Sequence, residues 1–280
     1  MPEPTERVEE IILSHDRRGM ARLRRHLRPG YCARAAELLA HASGTVVIGT
    51  GFPVAGSFES DGPIGAIALY RVLERLGRRP VFACAPPLSR VLAPEFETYE
   101  IPIAGWDESR RAVARALDEL SPSLLVSVER PGLAGDGRYY NMRGVDITDH
   151  TAKFDLFFTE GKVPTLAFGD GGNEIGMGNV APALAELDIT PSVTRCDVLV
   201  IASVSNWGVY GVLALLGRAL GRDLLGLVDP MEIASHLFAN GCVDGVTCRP
   251  DHTEDGFPLE VSLGIIRELR EAVRAGSTEP

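Results

Sequence analysis

The stretch Gly169-Asp170-Gly171-Gly172-Asn173-Glu174 sets two carboxylates and a carboxamide among glycines that let backbone approach a ligand closely. Asp170 and Glu174 can act as an acid and a base, or can join Asn173 as hard oxygen ligands for a divalent cation. The plainer reading makes them caps of a helix that follows. A second polar stretch runs from Glu129-Arg130-Pro131-Gly132 through Asp136 to Asp146 and holds Arg130, Arg138 and Arg143. Guanidinium groups grip carboxylates bidentately and keep their charge, so Arg130 and Arg143, in turn-rich contexts, point to an anionic substrate. Arg138 reads as solvated. In Glu59-Ser60-Asp61-Gly62-Pro63, Asp61 can cap the helix that begins near Pro63, which leaves Glu59 as the freer carboxylate. Beside them stands Ser203-Val204-Ser205-Asn206-Trp207, while His150 and His252 read as surface residues.

Several chemistries are excluded. The GxxxxGK[ST] phosphate loop is missing, and the glycine-rich stretch does not follow the first strand as a dinucleotide fingerprint would. Lys153 and Lys162 are the only lysines, which argues against Schiff-base chemistry and pyridoxal phosphate. Five scattered cysteines without a CxxC pair suggest neither a disulfide framework nor a zinc site; Cys84 and Cys196 sit in apolar runs that read as core rather than as a two-thiol racemase pair. With 28 basic against 38 acidic residues the net charge is −10, which repels nucleic acid and anionic membranes. No apolar run approaches the roughly 20 residues of a membrane span, and the acidic start lacks the layout of a secretory or transit leader. The expected setting is the cytoplasm and the expected partner a small anionic amino acid. Self-association is left open.

These residues need elements to position them. Thr45–Gly49, Val81–Ala83, Tyr99–Ile103, Leu124–Val128, Thr165–Phe168 and Val198–Ala202 read as strands. Between and after them, Pro63–Leu76, Asp107–Leu120, Trp207–Leu220, Met231–Asn240 and Leu259–Ala275 read as helices, with Asp107 as an N-cap and Gly77 and Gly221 as stops. Two helices, Glu6–Leu27 and Tyr31–His41, precede the first strand. The alternation predicts an α/β fold: a mostly parallel, doubly wound sheet with helices on both faces and N-terminal helices added. With no linker or repeat, residues 1–280 read as one domain, 1–43 a helical segment and 44–280 the core. Gly49 to Pro53, Glu129 to Gly132, Gly169 to Glu174 and Ser203 to Trp207 each begin where a strand ends. In an open parallel sheet that edge is the ligand crevice.

Six ordered blocks carry a resemblance: Gly49-Thr50-Gly51-Phe52-Pro53, Glu59 to Pro63, Asp136 to Arg143, Gly169 to Gly178, Val204 to Gly208 and Val243-Asp244-Gly245-Val246. Across residues 45–265 the chain resembles the D-glutamate cyclase family. The resemblance implies ring closure of D-glutamate to 5-oxo-D-proline with loss of water, without ATP or an organic cofactor. It implies Asp170 and Glu174, with Asn173 beside them, as the catalytic carboxyls, and Arg143 as the holder of the α-carboxylate. Ser205, Asn206 and the amides at Gly171 and Gly172 would face the oxyanion, while Arg130, Asn141, Gly51, Glu59 and Asp61 complete the pocket. A divalent cation stays open, with Asp136, Asp170 and Glu174 as candidate ligands. Two alternatives use the same residues: a metal-dependent hydrolase or lyase acting on another small carboxylate, and a binding domain without chemistry.

Overall fold

The computed structural model describes residues 3 to 274. Six strands form one parallel sheet: β1 (Thr45–Thr50), β2 (Arg79–Cys84), β3 (Thr98–Glu100), β4 (Leu124–Val128), β5 (Thr165–Gly169) and β6 (Val198–Ile201), in the order β3-β2-β1-β4-β5-β6. β1, β4, β5 and β6 are apolar stretches buried along their whole length, as a sheet covered on both faces requires. The chain steps outward from β1 to β2 and β3, then returns to lay β4 on the other side of β1. Right-handed crossovers convert that reversal into two helical layers, with Pro63–Arg75 and Trp106–Leu120 on opposite faces. Between β1 and β4 the loops part, which opens a crevice at the carboxyl edge.

The helix Ser205–Ala219 is buried from Ser205 to Gly217, because its sequence is apolar on every side. Four helices surround it: Pro4–Ile12, Tyr31–His41, Pro63–Arg75 and Leu259–Arg274. Gly211 makes the first of these contacts possible, since a Cβ there would lie 2.7 Å from Ile12 Cγ2. No described helix is long and apolar enough to cross a membrane.

Several expected elements come out differently. The helix read over Glu6–Leu27 is broken: Pro4–Ile12 ends, a turn follows, and Met20–Leu23 continues as one helical turn before a 3-10 turn at Arg24–His26. Asp16 is the cause, because its carboxylate accepts from the backbone N–H groups of Arg18, Gly19, Met20 and Ala21 at 2.7–3.1 Å. Periodicity alone cannot see such a competing cap. Asp107 is not an N-cap; the cap is Gly105, and Asp107 lies in the first turn of Trp106–Leu120. The strand read over Tyr99–Ile103 pairs only through Thr98–Glu100, and the helix at Met231 begins one residue earlier under an Asp229 cap. No helix follows the glycine-rich stretch directly. A loop leads to a 3-10 turn at Met177–Val180, so neither Asp170 nor Glu174 is a helix cap. Ala275, the expected end of the last helix, lies outside the described residues.

Replacing Asp16 with alanine should therefore release four amides at once. We expect Asp16→Ala to lower the unfolding free energy by about 1–2 kcal/mol, as removing a strong cap does, measured by urea denaturation. An unchanged midpoint would show that the segment is held by its packing instead.

Candidate functional site

The carboxyl edge holds a cavity of about 770 Å³. Glu59, Asp61, Glu129, Asp170 and Asp255 line it, all buried, and Arg18 stands among them. Each arrives on a different support. After β1 a hairpin turns at Ala55 and Gly56, both with positive φ, and delivers Glu59 and Asp61. Gly245 leaves room for Glu59: a Cβ there would lie 1.8 Å from Glu59 Oε2.

Asp61 sits across the start of the helix Ser205–Ala219 and accepts from Ser205 N and Asn206 N at 2.9 Å each, and from Gly62 N at 2.8 Å. Asn206 answers in kind, its Oδ1 accepting from Gly62 N at 3.0 Å and Gly65 N at 2.7 Å at the start of Pro63–Arg75. The two helices thus cap each other. Asn206 Nδ2 donates to Glu254 Oε2 at 2.6 Å and Ser205 Oγ to Glu129 Oε2 at 2.6 Å. Neither side chain is available as an oxyanion donor, so that expectation is corrected.

Glu129 leaves β4 in the left-handed region at φ 46°, a conformation that costs a bulky residue about 1–3 kcal/mol. It sends Glu129 into the crevice and the next side chain elsewhere. Arg130 is buried, with Nη1 donating to Gly51 O and Nη2 to Ala152 O, both at 2.6 Å. It pins loops together and does not line the cavity, contrary to its expected substrate role. Nor do Gly51, Gly171, Gly172, Asn173 or Glu174 line it. Glu174 Oε2 accepts from Gly172 N at 2.7 Å, and Asn173 Nδ2 donates to Tyr140 O at 2.9 Å, so both shape the loop that presents Asp170. Arg143 and Asn141 do reach the cavity, at its exposed rim with His150. Arg143 Nη2 donates to Val246 O at 3.0 Å, and Asn141 Oδ1 accepts from Arg143 N and Val145 N.

Two residues central to the site were missed. Arg18 Nη1 lies 2.6 Å from Asp170 Oδ2, and its Nη2 pairs with Asp255 Oδ1. Nothing in the local sequence around Arg18 signals this, because its partners lie far along the chain. Asp255 did leave a trace: Asp255-Gly256 joins Thr253–Glu254 to Phe257–Pro258 as a two-residue hairpin turn, with φ 54° and 72°. Asp244 fastens that hairpin by accepting from Thr253 Oγ1 at 2.8 Å and Gly256 N at 2.7 Å, which explains the Val243 to Val246 block.

Burial dominates the electrostatics. It raises Asp61 to about 7, helped by Asp255 and Glu254 and opposed by the Asn206 and Ser205 amides. It raises Asp255 to about 8, with Asp170 adding to the shift and Arg18 opposing it. Glu59, Glu129 and Asp170 are likewise pushed well above the usual carboxylate range, first by burial and then by neighbouring acids, led by Asp255 for Glu59, Glu174 for Glu129 and Asp61 for Asp170, with Arg18 the leading opposing influence on Asp170. Burial works to lower the Arg18 guanidinium, yet Asp170, Asp255 and Glu129 outweigh it and hold Arg18 firmly charged. Asp61, Glu129 and Asp170 each bring an oxygen within 4.8 Å of one another, close enough to share a cation. The positive charge that the chain itself places against Asp170 is Arg18. Of the metal candidates read from the sequence, Asp136 is exposed and bonded to Tyr140 Oη at 2.6 Å, and Glu174 lies outside this trio.

A family model described as D-glutamate cyclase-like, C-terminal, matches residues 8–270. That match takes in the segment carrying Arg18, ahead of the six sequence blocks. The mitochondrial D-glutamate cyclase of Homo sapiens is 34% identical over 210 residues, 65% of this chain and 34% of that protein. The chain thus spans about a third of the length of this curated relative. Among solved structures, an exopolyphosphatase-related protein from Bacteroides fragilis aligns at 10% identity and TM-score 0.43, over 88% of this chain and 57% of that one. A variant of actinorhodin polyketide ketoreductase with NADPH aligns at 14% identity and TM-score 0.30, over 83% and 92%. Likenesses this distant say nothing of what the chain does.

The raised carboxyls set the direction of the pH dependence. Asp61 and Asp255 hold protons in the folded chain up to about 7 and 8, but release them near 4 when unfolded. Their stabilising contribution is complete below pH 4 and is lost as pH rises to about 8, at up to about 1.4 kcal/mol per pH unit per group. Denaturant melts at pH 5 and pH 8 should show the lower stability at pH 8. Equal or greater stability at pH 8 would mean that these groups are ionised throughout.

Proposed function

The chain belongs to the D-glutamate cyclase-like family, and from that premise we propose that it closes D-glutamate to 5-oxo-D-proline with loss of water. The observation that supports this most is the buried carboxyl cluster on one arginine at the cavity wall. The amine and the γ-carboxyl belong to one molecule, so proximity is largely supplied by the substrate, and the enzyme's share is to fold it and to move protons. The amine arrives protonated and the carboxylate is a poor electrophile, so the reaction needs a base, an acid and a stabiliser for the tetrahedral oxyanion.

The cavity sorts these tasks by charge. Arg143 at the rim takes the α-carboxylate. The ammonium faces the acids, with Asp170 as the base that receives its proton. Arg18, held charged beside Asp170, faces the γ-carboxylate and the oxyanion in place of Ser205 and Asn206. Neither a nucleotide nor an electron carrier enters this chemistry, since water leaves and nothing is oxidised.

Purified protein incubated with D-glutamate should yield a product lighter by one water in the mass spectrum, with ATP making no difference. No water loss from either D- or L-glutamate would sink the reading, and activity lost in EDTA but restored by magnesium would hand the acids to a cation. Asp170→Asn should lower kcat by about 10²–10⁴-fold, the usual share of general acid–base catalysis, with the fold intact. Arg143→Lys should raise KM while sparing kcat, because an ammonium cannot reproduce the two-pronged grip. An unchanged KM would place the α-carboxylate elsewhere.

A further inference from the structure

We propose that Asp255, which no sequence block contains, forms with Asp170 a carboxyl pair that shares one proton across Arg18 and carries protons from the substrate nitrogen to the leaving oxygen. The inference rests on the cyclase reading. Its geometric basis is that one guanidinium bridges two carboxylates from distant parts of the chain, with Arg18 Nη1 on Asp170 and Nη2 on Asp255. Both carboxylates are buried and both line the cavity. Two carboxylates this close to one cation in a low dielectric cannot both ionise freely, nor does the cation let both stay neutral. One proton between them is the state that satisfies both limits. The upward shift of both groups agrees with it, Asp255 to about 8 and Asp170 well above the usual carboxylate range.

Other charged groups surround the pair. From the N-terminal segment come Arg18 and Arg17, the latter over the Phe257 ring at 3.6 Å. Glu59 and Asp61 face it from the segment after β1, Glu129 from the end of β4, Glu174 from the loop after β5, and Glu254 from its own hairpin. Arg143 and His150 stand at the rim. The neighbours within the site are therefore mostly acidic, which favours keeping the shared proton.

The reaction needs such a relay. Glutamate enters with an ammonium and a γ-carboxylate; the product is a lactam N–H and water. One C–N bond forms, one C–O bond breaks, and two protons pass from nitrogen to oxygen with no change in net charge or electron count. Ionised Asp170 takes a proton from nitrogen while protonated Asp255 gives one to oxygen. A proton then crosses within the pair from Asp170 to Asp255, and the whole cycle, crossing included, repeats once. The pair returns to its starting state without an outside acid or base.

The test uses wild type, Asp255→Asn and Arg18→Lys. Asparagine tolerates the left-handed position of Asp255, so the hairpin should survive, and the melting temperature reports whether it does. Asp61, Glu59 and Glu129 add carboxylic C=O absorption of their own near neutral pH, so the readout is the wild-type-minus-variant infrared difference, in which Asp255→Asn should remove one carboxylic C=O component. In that variant kcat should fall at least about 100-fold in both lactam formation and lactam hydrolysis, with the alkaline limb of the pH–rate profile gone. Arg18→Lys should shift that limb. A difference spectrum with no lost C=O component, or a profile and kcat like wild type, overturns the proposal. A rate loss with the pH profile unchanged and no C=O component lost reduces Asp255 to a structural part and overturns it equally. If wild type converts neither D-glutamate nor 5-oxo-D-proline, the cyclase reading fails and the relay with it, while the infrared difference still decides whether the pair shares a proton.

Discussion

The contact between Arg18 and the Asp170–Asp255 pair is what the carboxyl edge depends on. Five acids line one cavity, and desolvation opposes charging any of them. An unpaired cluster of that kind would stay fully protonated or would force the loops apart. A single guanidinium, fixed in its charged form by the acids it serves, lets some of them ionise while others keep their protons. That mixture is what distinguishes a site able to take and give protons near neutrality from a merely acidic surface.

Backbone dipoles supply a second source of positive potential. The helices Pro63–Arg75 and Ser205–Ala219 both begin at the crevice, and their side chains are exchanged: Asp61 caps one, Asn206 the other. Their first amides, which would otherwise lack partners, are thereby satisfied, and a carboxylate is held where helix dipoles favour it. The exchange also sets the distance between the helices, with Gly65 allowing the approach: a Cβ there would lie 2.7 Å from Asn206 Oδ1. Residues that look like substrate ligands from their type thus turn out to build the walls.

The N-terminal segment belongs to the site through packing as well as charge. Arg17 stacks on Phe257, and His15 meets the rings of Trp207 and Phe257 edge-on at 5.9 Å. Trp207 Nε1 in turn donates to Glu254 and Ser262. The turn at Asp16, the hairpin at Asp255 and the start of the buried helix are therefore one packed unit, so a shift in any of them moves the guanidinium relative to its two acids.

The sequence by itself determined the α/β class, the parallel sheet and the edge where the cavity opens, because apolar strand runs ending in Gly, Asp and Asn clusters are local features that survive without tertiary context. It likewise brought out Asp170, Glu59, Asp61, Arg143 and Asn141, each of which reaches the cavity. What only the tertiary structure decided is which polar groups remain free once the chain has folded. Arg130, Ser205 and Asn206 have the right chemistry and the right edge, yet their donors are taken by backbone carbonyls and carboxylates that approach only in the fold. Arg18 and Asp255 lie outside the glycine-rich blocks, and their contacts join segments 237 residues apart in one case and about 150 in the other, which no spacing rule encodes. Periodicity and turn chemistry act over a few residues, whereas the balance of charge in a buried site is settled among side chains brought together from the whole chain.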